Sequence, residues 1–299
     1  MSISLLKPKI LVILGPTASG KSALAVKVAK KYKGEIISAD SRQVYRGLDI
    51  GSGKITKKEM RGVPHYLLSI MSPQRTFTAA YFQKLGSKAI RKILRKGKLP
   101  IIVGGTGFYI DTLIRGYALP QVKPNLKLRK TLESKTAAEL FLKLKKLDPK
   151  RAENIDSKNK RRLIRALEII LATGKSIPIL NQKSPYEVLK IGIGLPTETL
   201  KKNIERRLRA RLRGGMLREV EQLRKNGVSY KRLDALGLEY RYVSRYLQGL
   251  ITKEEMIEVL KREIWRYAKR QKLWFKRNKE IIWTQKPEAT LKYVRKFLT

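Results

Sequence analysis

The stretch Lys9–Ser22, KILVILGPTASGKS, decides the fold. After the lysine come five apolar residues rich in β-branching, the mark of a strand buried on both faces. The next eight, Gly15–Ser22, fit the pattern G-x4-G-K-[ST], and Leu24 and Val28 follow at helical spacing. Strand, Gly-rich turn and helix in that order build a concave nest of backbone N–H groups at a helix N-terminus, where phosphate is held. Lys21 adds a point charge, and Ser22 a hydroxyl for Mg²⁺, directly or through a water. The loop Gly15, Pro16, Thr17, Ala18, Ser19, Gly20, Lys21 and Ser22 is therefore the candidate diphosphate site. The motif specifies a di- or triphosphate and leaves the nucleotide open.

Reading outward, Glu35–Ala39 is a second strand, Tyr66–Ile70 a candidate third, Phe77–Arg95 a helix, and Leu99–Val103 a further strand. Strands alternating with helices predict an α/β fold with a parallel sheet. After Pro120 and Pro124 the strand signal stops. Ala137–Leu147 and Lys160–Ala172 read as helices, and Ser176–Pro185 as a loop. Strand character returns at Val188–Leu195. A long Arg-rich helix follows at Thr197–Lys225, weakened at Gly214-Gly215, then helices at Glu239–Leu247 and Thr252–Lys276 and a last strand at Ile281–Thr284. The expected organisation is a core at 1–120 and 184–299, interrupted by an all-helical insertion at 121–183.

Two further segments leave strand ends. Asp40, in Ser38-Ala-Asp-Ser-Arg-Gln-Val-Tyr45, is the one carboxylate of residues 1–120 at the carboxyl end of a strand, where sites of parallel sheets lie. It is the candidate general base or metal-associated acid; the plainer alternative is a helix cap. Gly104-Gly105-Thr106-Gly107-Phe108-Tyr109 ends another strand and offers open backbone, a hydroxyl and aromatics; the plainer alternative is a tight turn. No apolar run ends in an Asp-Glu pair, which weighs against helicases and AAA-type motors.

Charge narrows the partners. Across 299 residues, 68 Lys+Arg stand against 24 Asp+Glu, a net +44, and the excess is spread along the chain. Polyanion binding is expected, with a solvated basic surface as the plain alternative. No cysteine and one histidine, His65, exclude a disulfide scaffold, a cysteine nucleophile and a Cys-ligated zinc site, and disfavour a Ser–His triad. His65 reads as structural, and Trp265, Trp274 and Trp283 as packing residues. Lys143, Lys145 and Lys146 are a solvated face or an RNA surface. No apolar run spans a bilayer and no signal peptide is visible, so a cytoplasmic protein is expected.

The motifs GPTASGKS, SADSRQVYRGLDIGSGK, PHYLL, VGGTGFY, RRLIRALEIILATGK and YAKRQKLWFKR occur in that order. Together they resemble the tRNA dimethylallyltransferase (tRNA isopentenyltransferase) family over about residues 9 to 278. The resemblance implies a P-loop-kinase-like core with a helical insertion that binds tRNA. It implies transfer of a dimethylallyl group from dimethylallyl diphosphate to the exocyclic amine of the adenosine immediately 3′ of the anticodon, with pyrophosphate leaving and Mg²⁺ as cofactor. Asp40 matches the base, Lys21, Ser22 and Thr106 the catalytic crevice, and Arg207 an arginine near the diphosphate. Asp40, Ser41, Arg42, Gln43, Thr106, Arg129, Arg161, Arg162 and Arg165 match positions that contact the tRNA anticodon stem-loop. A monomer without membrane attachment is expected. The chain departs from the family pattern at Gly237-Leu238-Glu239-Tyr240-Arg241, where Gly-Tyr-[Lys/Arg] is usual, and at Trp265, where Arg is usual. Ser22 replaces the usual Thr and keeps the hydroxyl. Two rivals stay open on the residues alone: a small-molecule kinase, and an RNA-binding protein whose phosphate site has decayed.

Overall fold

A computed structural model describes residues 7–177 and 184–299. In chain order the first part contains β1 (Lys9–Leu14), α1 (Lys21–Lys31), β2 (Gly34–Ala39), α2 (Lys57–Met60), β3 (His65–Tyr66), α3 (Ala79–Arg95), β4 (Leu99–Gly104) and α4 (Gly107–Arg115). The middle holds α5 (Leu126–Glu133), α6 (Ala137–Leu147), α7 (Pro149–Glu153) and α8 (Lys160–Thr173). The last part holds β5 (Glu187–Ile193), α9 (Thr197–Arg213), α10 (Met216–Lys225), α11 (Tyr230–Leu236), α12 (Leu238–Leu247), α13 (Lys253–Lys276), β6 (Ile282–Thr284) and α14 (Pro287–Leu298). The chain divides into two compact units, Met1–Gly116 with Ser184–Thr299, and Tyr117–Lys183.

The larger unit is built on a six-stranded sheet, β3-β2-β4-β1-β5-β6, parallel throughout. The α/β class expected from the sequence holds. β2 and β4 are buried along their whole length, as helices on both faces require. Alternation along the strands sends Ile10, Val12, Ile37 and Ile102 into one apolar layer and Leu11, Ile13, Ile36 and Ile101 into the other. Because β4 lies between β1 and β2, the carboxyl ends of these three strands stand side by side. The exits of β2 and β4 approach closely: a Cβ on Gly104 would stand 2.1 Å from the carbonyl oxygen of Ala39, so only glycine fits there.

Several expectations need correction. The strand expected at Tyr66–Ile70 is the two-residue β3, because Leu67 and Ser69 take positive φ and turn the chain away from the sheet. The turn expected after Gly104 becomes helix α4 from Gly107. The single helix expected at Thr197–Lys225 is two, α9 and α10, broken where Gly215 takes φ +97°. Trp283 is 37% exposed and not in the core, although its ring covers Gly192. Of the loop expected at Ser176–Pro185, residues 178–183 lie outside the described residues.

The smaller unit is helical in its described residues, with Leu132, Leu140, Leu144, Leu163 and Leu167 as its core. Thr136 and Glu139 form a capping box at the start of α6. Glu168, inside α8, is 1% exposed and is the anion around which the unit closes. It accepts two hydrogen bonds from Arg129 (2.8 and 2.7 Å), one from Arg165 and one from the backbone N–H of Asn125. Burial alone would push its carboxyl up, but these donors outweigh it and bring the pKa down to about 2. Among the described residues no helix is long and apolar enough to cross a membrane.

Candidate active site

The strand ends of β1, β2 and β4 open into one crevice of about 300 Å³ within the larger unit. The loop after β1 and the start of α1 contribute Thr17, Lys21 and Ser22; the segment after β2 contributes Asp40, Ser41, Arg42 and Gln43; β4 contributes Val103 and Gly104. The far wall comes from α9, α12 and α13 through Arg207, Arg211, Glu239, Tyr240, Tyr267 and Gln271. Apolar area is supplied by Ala25, Ile36, Ile55 and Ile264.

The phosphate loop passes into α1 at Gly20, and the first turn carries no acid, so its backbone donors meet no internal carboxylate. Lys21 Nζ donates to the Pro16 carbonyl at 3.2 Å. Among the described residues the buried hydroxyl of Ser19 has no hydrogen-bond partner, an orphan donor inside the Gly-rich loop. The loop is held from α13: Thr17 N–H donates to Gln271 Oε1, and Gln271 Nε2 donates to the carbonyl of Gly105, both at 2.9 Å.

Asp40 follows β2 directly. Its Oδ1 accepts the backbone N–H groups of Arg42 (2.8 Å) and Gln43 (3.3 Å), which fixes the carboxylate at the crevice wall. Among the described residues no donor meets Oδ2. The cap reading holds at Oδ1 and leaves Oδ2 open to the crevice chemistry. Thr106 does not line the crevice. Its Oγ1 accepts the N–H of Ser41 at 3.2 Å, and its hydroxyl also bonds that of Tyr267. It steadies the Asp40 segment from behind. The Arg42 guanidinium donates from Nε to the Leu236 carbonyl, and Gln43 accepts from Ser38 Oγ and donates to the Gly53 carbonyl. Neither aromatic after Thr106 reaches the crevice. Tyr109 is buried, stacked on Phe82 at 4.4 Å, and Phe108 sits edge-on to Trp274.

The crevice is electropositive. Burial, then Arg207, brings the Lys21 ammonium down to about 8, with Asp40 opposing. Burial, then Arg211, brings Arg207 down to about 10. Burial raises Glu239, with Arg211 opposing. Three cations packed so closely favour an incoming anion.

The remaining sequence-derived arginines and lysines lie in the smaller unit, whereas His65, in β3, lines the crevice. Arg161 and Arg162 are exposed on the first turn of α8. Arg129 and Arg165 are committed to Glu168. Lys143, Lys145 and Lys146 are exposed. His65 Nδ1 lies 2.8 Å from the Val63 carbonyl oxygen, and burial lowers its pKa. Arg211, Glu239, Tyr267 and Gln271 escaped the sequence reading. A signal existed for two pairs: Arg207 and Arg211, and Tyr267 and Gln271, each stand four apart on one helix, hence on one face.

The chain is similar in sequence and in fold to proteins of one family. A family model described as IPP transferase matches residues 43–278. A tRNA dimethylallyltransferase of Pelotomaculum thermopropionicum is 43% identical over 286 residues, covering 93% of this chain and 90% of the relative. That of Acetivibrio thermocellus is 41% identical, covering 93% and 92%. The structure of the full-length tRNA isopentenylpyrophosphate transferase from Bacillus halodurans superposes with a TM-score of 0.75 at 37% identity, covering 98% of this chain and 97% of that one. A eukaryotic dimethylallyltransferase captured acting on tRNA superposes with a TM-score of 0.74 at 30% identity, covering 90% and 70%.

Proposed function

This chain belongs to the tRNA dimethylallyltransferase family and transfers a dimethylallyl group to tRNA, and we propose that the transfer takes place in the crevice at the carboxyl ends of β1, β2 and β4. The donor is dimethylallyl diphosphate, and the acceptor is the exocyclic amine of the adenosine immediately 3′ of the anticodon. The amine nitrogen bonds to the allylic carbon, the carbon–oxygen bond to the diphosphate breaks, and pyrophosphate leaves with that electron pair. The phosphate loop and Lys21 hold the departing anion, as positive groups placed where charge develops. Asp40 Oδ2 holds the attacking amine and takes its proton. A base inside a stacked loop is out of reach, so the adenosine leaves the anticodon stack to enter.

Mg²⁺ is the proposed counter-ion of the diphosphate. Ser22 and Asp40 line the same crevice, and these two oxygen donors suit a cation that takes its other ligands from diphosphate and water. Among the described residues no cluster of three or more His, Asp or Glu side chains offers a fuller protein cage. When bound, the ion supplies neutralisation of the leaving pyrophosphate. Arg161 and Arg162 contact tRNA phosphates, and the protein works as a cytoplasmic monomer.

The observation that carries this reading is the convergence of Lys21, Asp40 and Arg207 on one crevice from the start of α1, the exit of β2 and α9. The test is incubation with tRNA, Mg²⁺ and dimethylallyl diphosphate, followed by nucleoside mass analysis. One adenosine should gain one prenyl mass. Consumption of ATP to phosphorylate a small molecule without tRNA, with the prenyl donor ignored, would establish the kinase instead.

A further inference from the structure

Two guanidinium groups on α9 meet over one residue. A Cβ on Gly53 would lie 2.0 Å from Nη2 of Arg211 and 2.8 Å from Nη2 of Arg207. Gly53 holds φ +60°, a backbone that favours glycine, and the two guanidinium groups occupy the space that its missing side chain leaves. The loop around it is fastened from several sides. Glu219 accepts the backbone N–H groups of Asp49, Ile50 and Gly51 at 2.9, 2.6 and 3.0 Å, and the Tyr240 hydroxyl at 2.9 Å. Tyr240 in turn accepts the N–H of Ser52 at 3.0 Å. The two arginines are thus gathered against a rigid wall of the crevice that holds Lys21.

Arg211 is not idle. Its Nη1 donates to Glu239 at 2.7 Å and to the Gly51 carbonyl at 3.1 Å, and the two paired side chains are 13% and 10% exposed. Glu239 lines the crevice together with Lys21, so this chain places an internal anion beside its phosphate site. A buried ion pair costs desolvation on both sides and is weak ground for stability alone. Here it also neutralises one of three clustered cations, whose mutual repulsion adds to burial in depressing Lys21 and Arg207.

We propose that Arg211 is a second diphosphate-binding guanidinium beside Arg207, and that Glu239 is the resident counter-ion with which the diphosphate competes for it. The proposal rests on the crevice being the diphosphate site. Glu239 holds Arg211 in the empty crevice. Dimethylallyl diphosphate draws the guanidinium away, and Glu239 takes it back as pyrophosphate leaves.

The test is calorimetric binding of inorganic pyrophosphate with Mg²⁺ to the full chain, with tRNA affinity as the control for an intact fold. Glu239→Gln should tighten pyrophosphate about 10-fold and make multiple-turnover rates fall further than single-turnover rates, because release is slowed. General damage to the fold would not tighten binding. Arg211→Met should weaken pyrophosphate about 10-fold. Should that variant, with Glu239 unpaired, fail to fold, the charge-balanced R211M/E239Q chain replaces it, and the tightening seen in E239Q should be mostly lost. Tightening that persists without Arg211 would overturn the competition. So would pyrophosphate affinities within twofold of each other across these variants while Lys21→Ala abolishes binding; the diphosphate site would then stand and the proposal fall. If Lys21→Ala also leaves pyrophosphate binding intact, the crevice assignment itself is wrong.

Discussion

Gln271 accepts the backbone N–H of Thr17 at 2.9 Å across 254 residues of chain, and its amide nitrogen reaches the Gly105 carbonyl at the same distance. One buried side chain on α13 thereby joins the phosphate loop to the exit of β4. The task needs a donor and an acceptor on one short planar group, which glutamine has and glutamate lacks. Gln271→Leu would strand both backbone partners, at about 1–3 kcal/mol each. The phosphate loop would lose its register, and kcat/KM for the prenyl donor should fall about 10- to 100-fold, the scale of small misplacements in a site. Steady-state kinetics beside a denaturant melt would check this. Unchanged kcat/KM would show that the loop holds itself.

Asp40 and Lys21 should fail differently. Asp40→Asn keeps the Oδ1 acceptor for Arg42 and Gln43 and removes the base, so turnover should drop about 10²–10⁴-fold with tRNA affinity nearly kept. Lys21→Ala should weaken diphosphate binding and spare tRNA binding. Quench-flow rates together with tRNA binding isotherms separate the two. Near-normal turnover in a folded Asp40→Asn protein would remove Asp40 from the chemistry.

The arginines of the smaller unit should divide in the same manner. Arg161 and Arg162 are exposed and free to meet phosphate, so replacing each with Ala should reduce the log–log salt slope of tRNA binding by roughly 0.7 to 0.9. Arg129→Ala or Arg165→Ala takes a donor from buried Glu168 instead, and should cost about 1–3 kcal/mol of stability, since the other arginine stays paired with it. Thermal melts and salt titrations of the four variants decide the matter. Equal loss of stability from Arg161→Ala would contradict the division.

How much of this was written in the chain follows from how local each feature is. β1 and β4 are legible because buried parallel strands are mostly apolar, and Ile10–Leu14 and Ile101–Val103 are so. β3 is not, because the residues that end it, Leu67 and Ser69, carry no glycine to announce their positive φ. α4 is hidden by Gly107, which reads as a turn but is small because Trp274 lies where its Cβ would be. At the site, the phosphate loop and Asp40 are legible because each follows its strand within the chain. Gln271, Arg211 and Glu239 are not, since only the topology brings α9, α12 and α13 over the strand ends. The commitment of Arg129 and Arg165 to Glu168 is likewise a property of packing, invisible in a run of basic residues.

The last expectation concerns protons. Burial and Arg207 hold Lys21 at about 8, below its ordinary 10.5. A bound diphosphate adds negative charge beside the ammonium and so raises that pKa again. Between roughly pH 8 and 10, binding must therefore draw a proton from solution, and pyrophosphate affinity must fall as pH rises through 8. Stability has the opposite sign. In the same window the unfolded chain holds the Lys21 proton and the folded chain does not, so this group makes the empty protein more stable with rising pH until about 10.5. Titration calorimetry of pyrophosphate at pH 8.5 in two buffers of different ionisation enthalpy measures the uptake directly. The apparent enthalpies should differ in proportion to the buffers' own. Lys21→Met should abolish most of that difference. Equal enthalpies in both buffers for the natural chain would mean that Lys21 is already fully charged when the crevice is empty, and that the arginines beside it do not press on it.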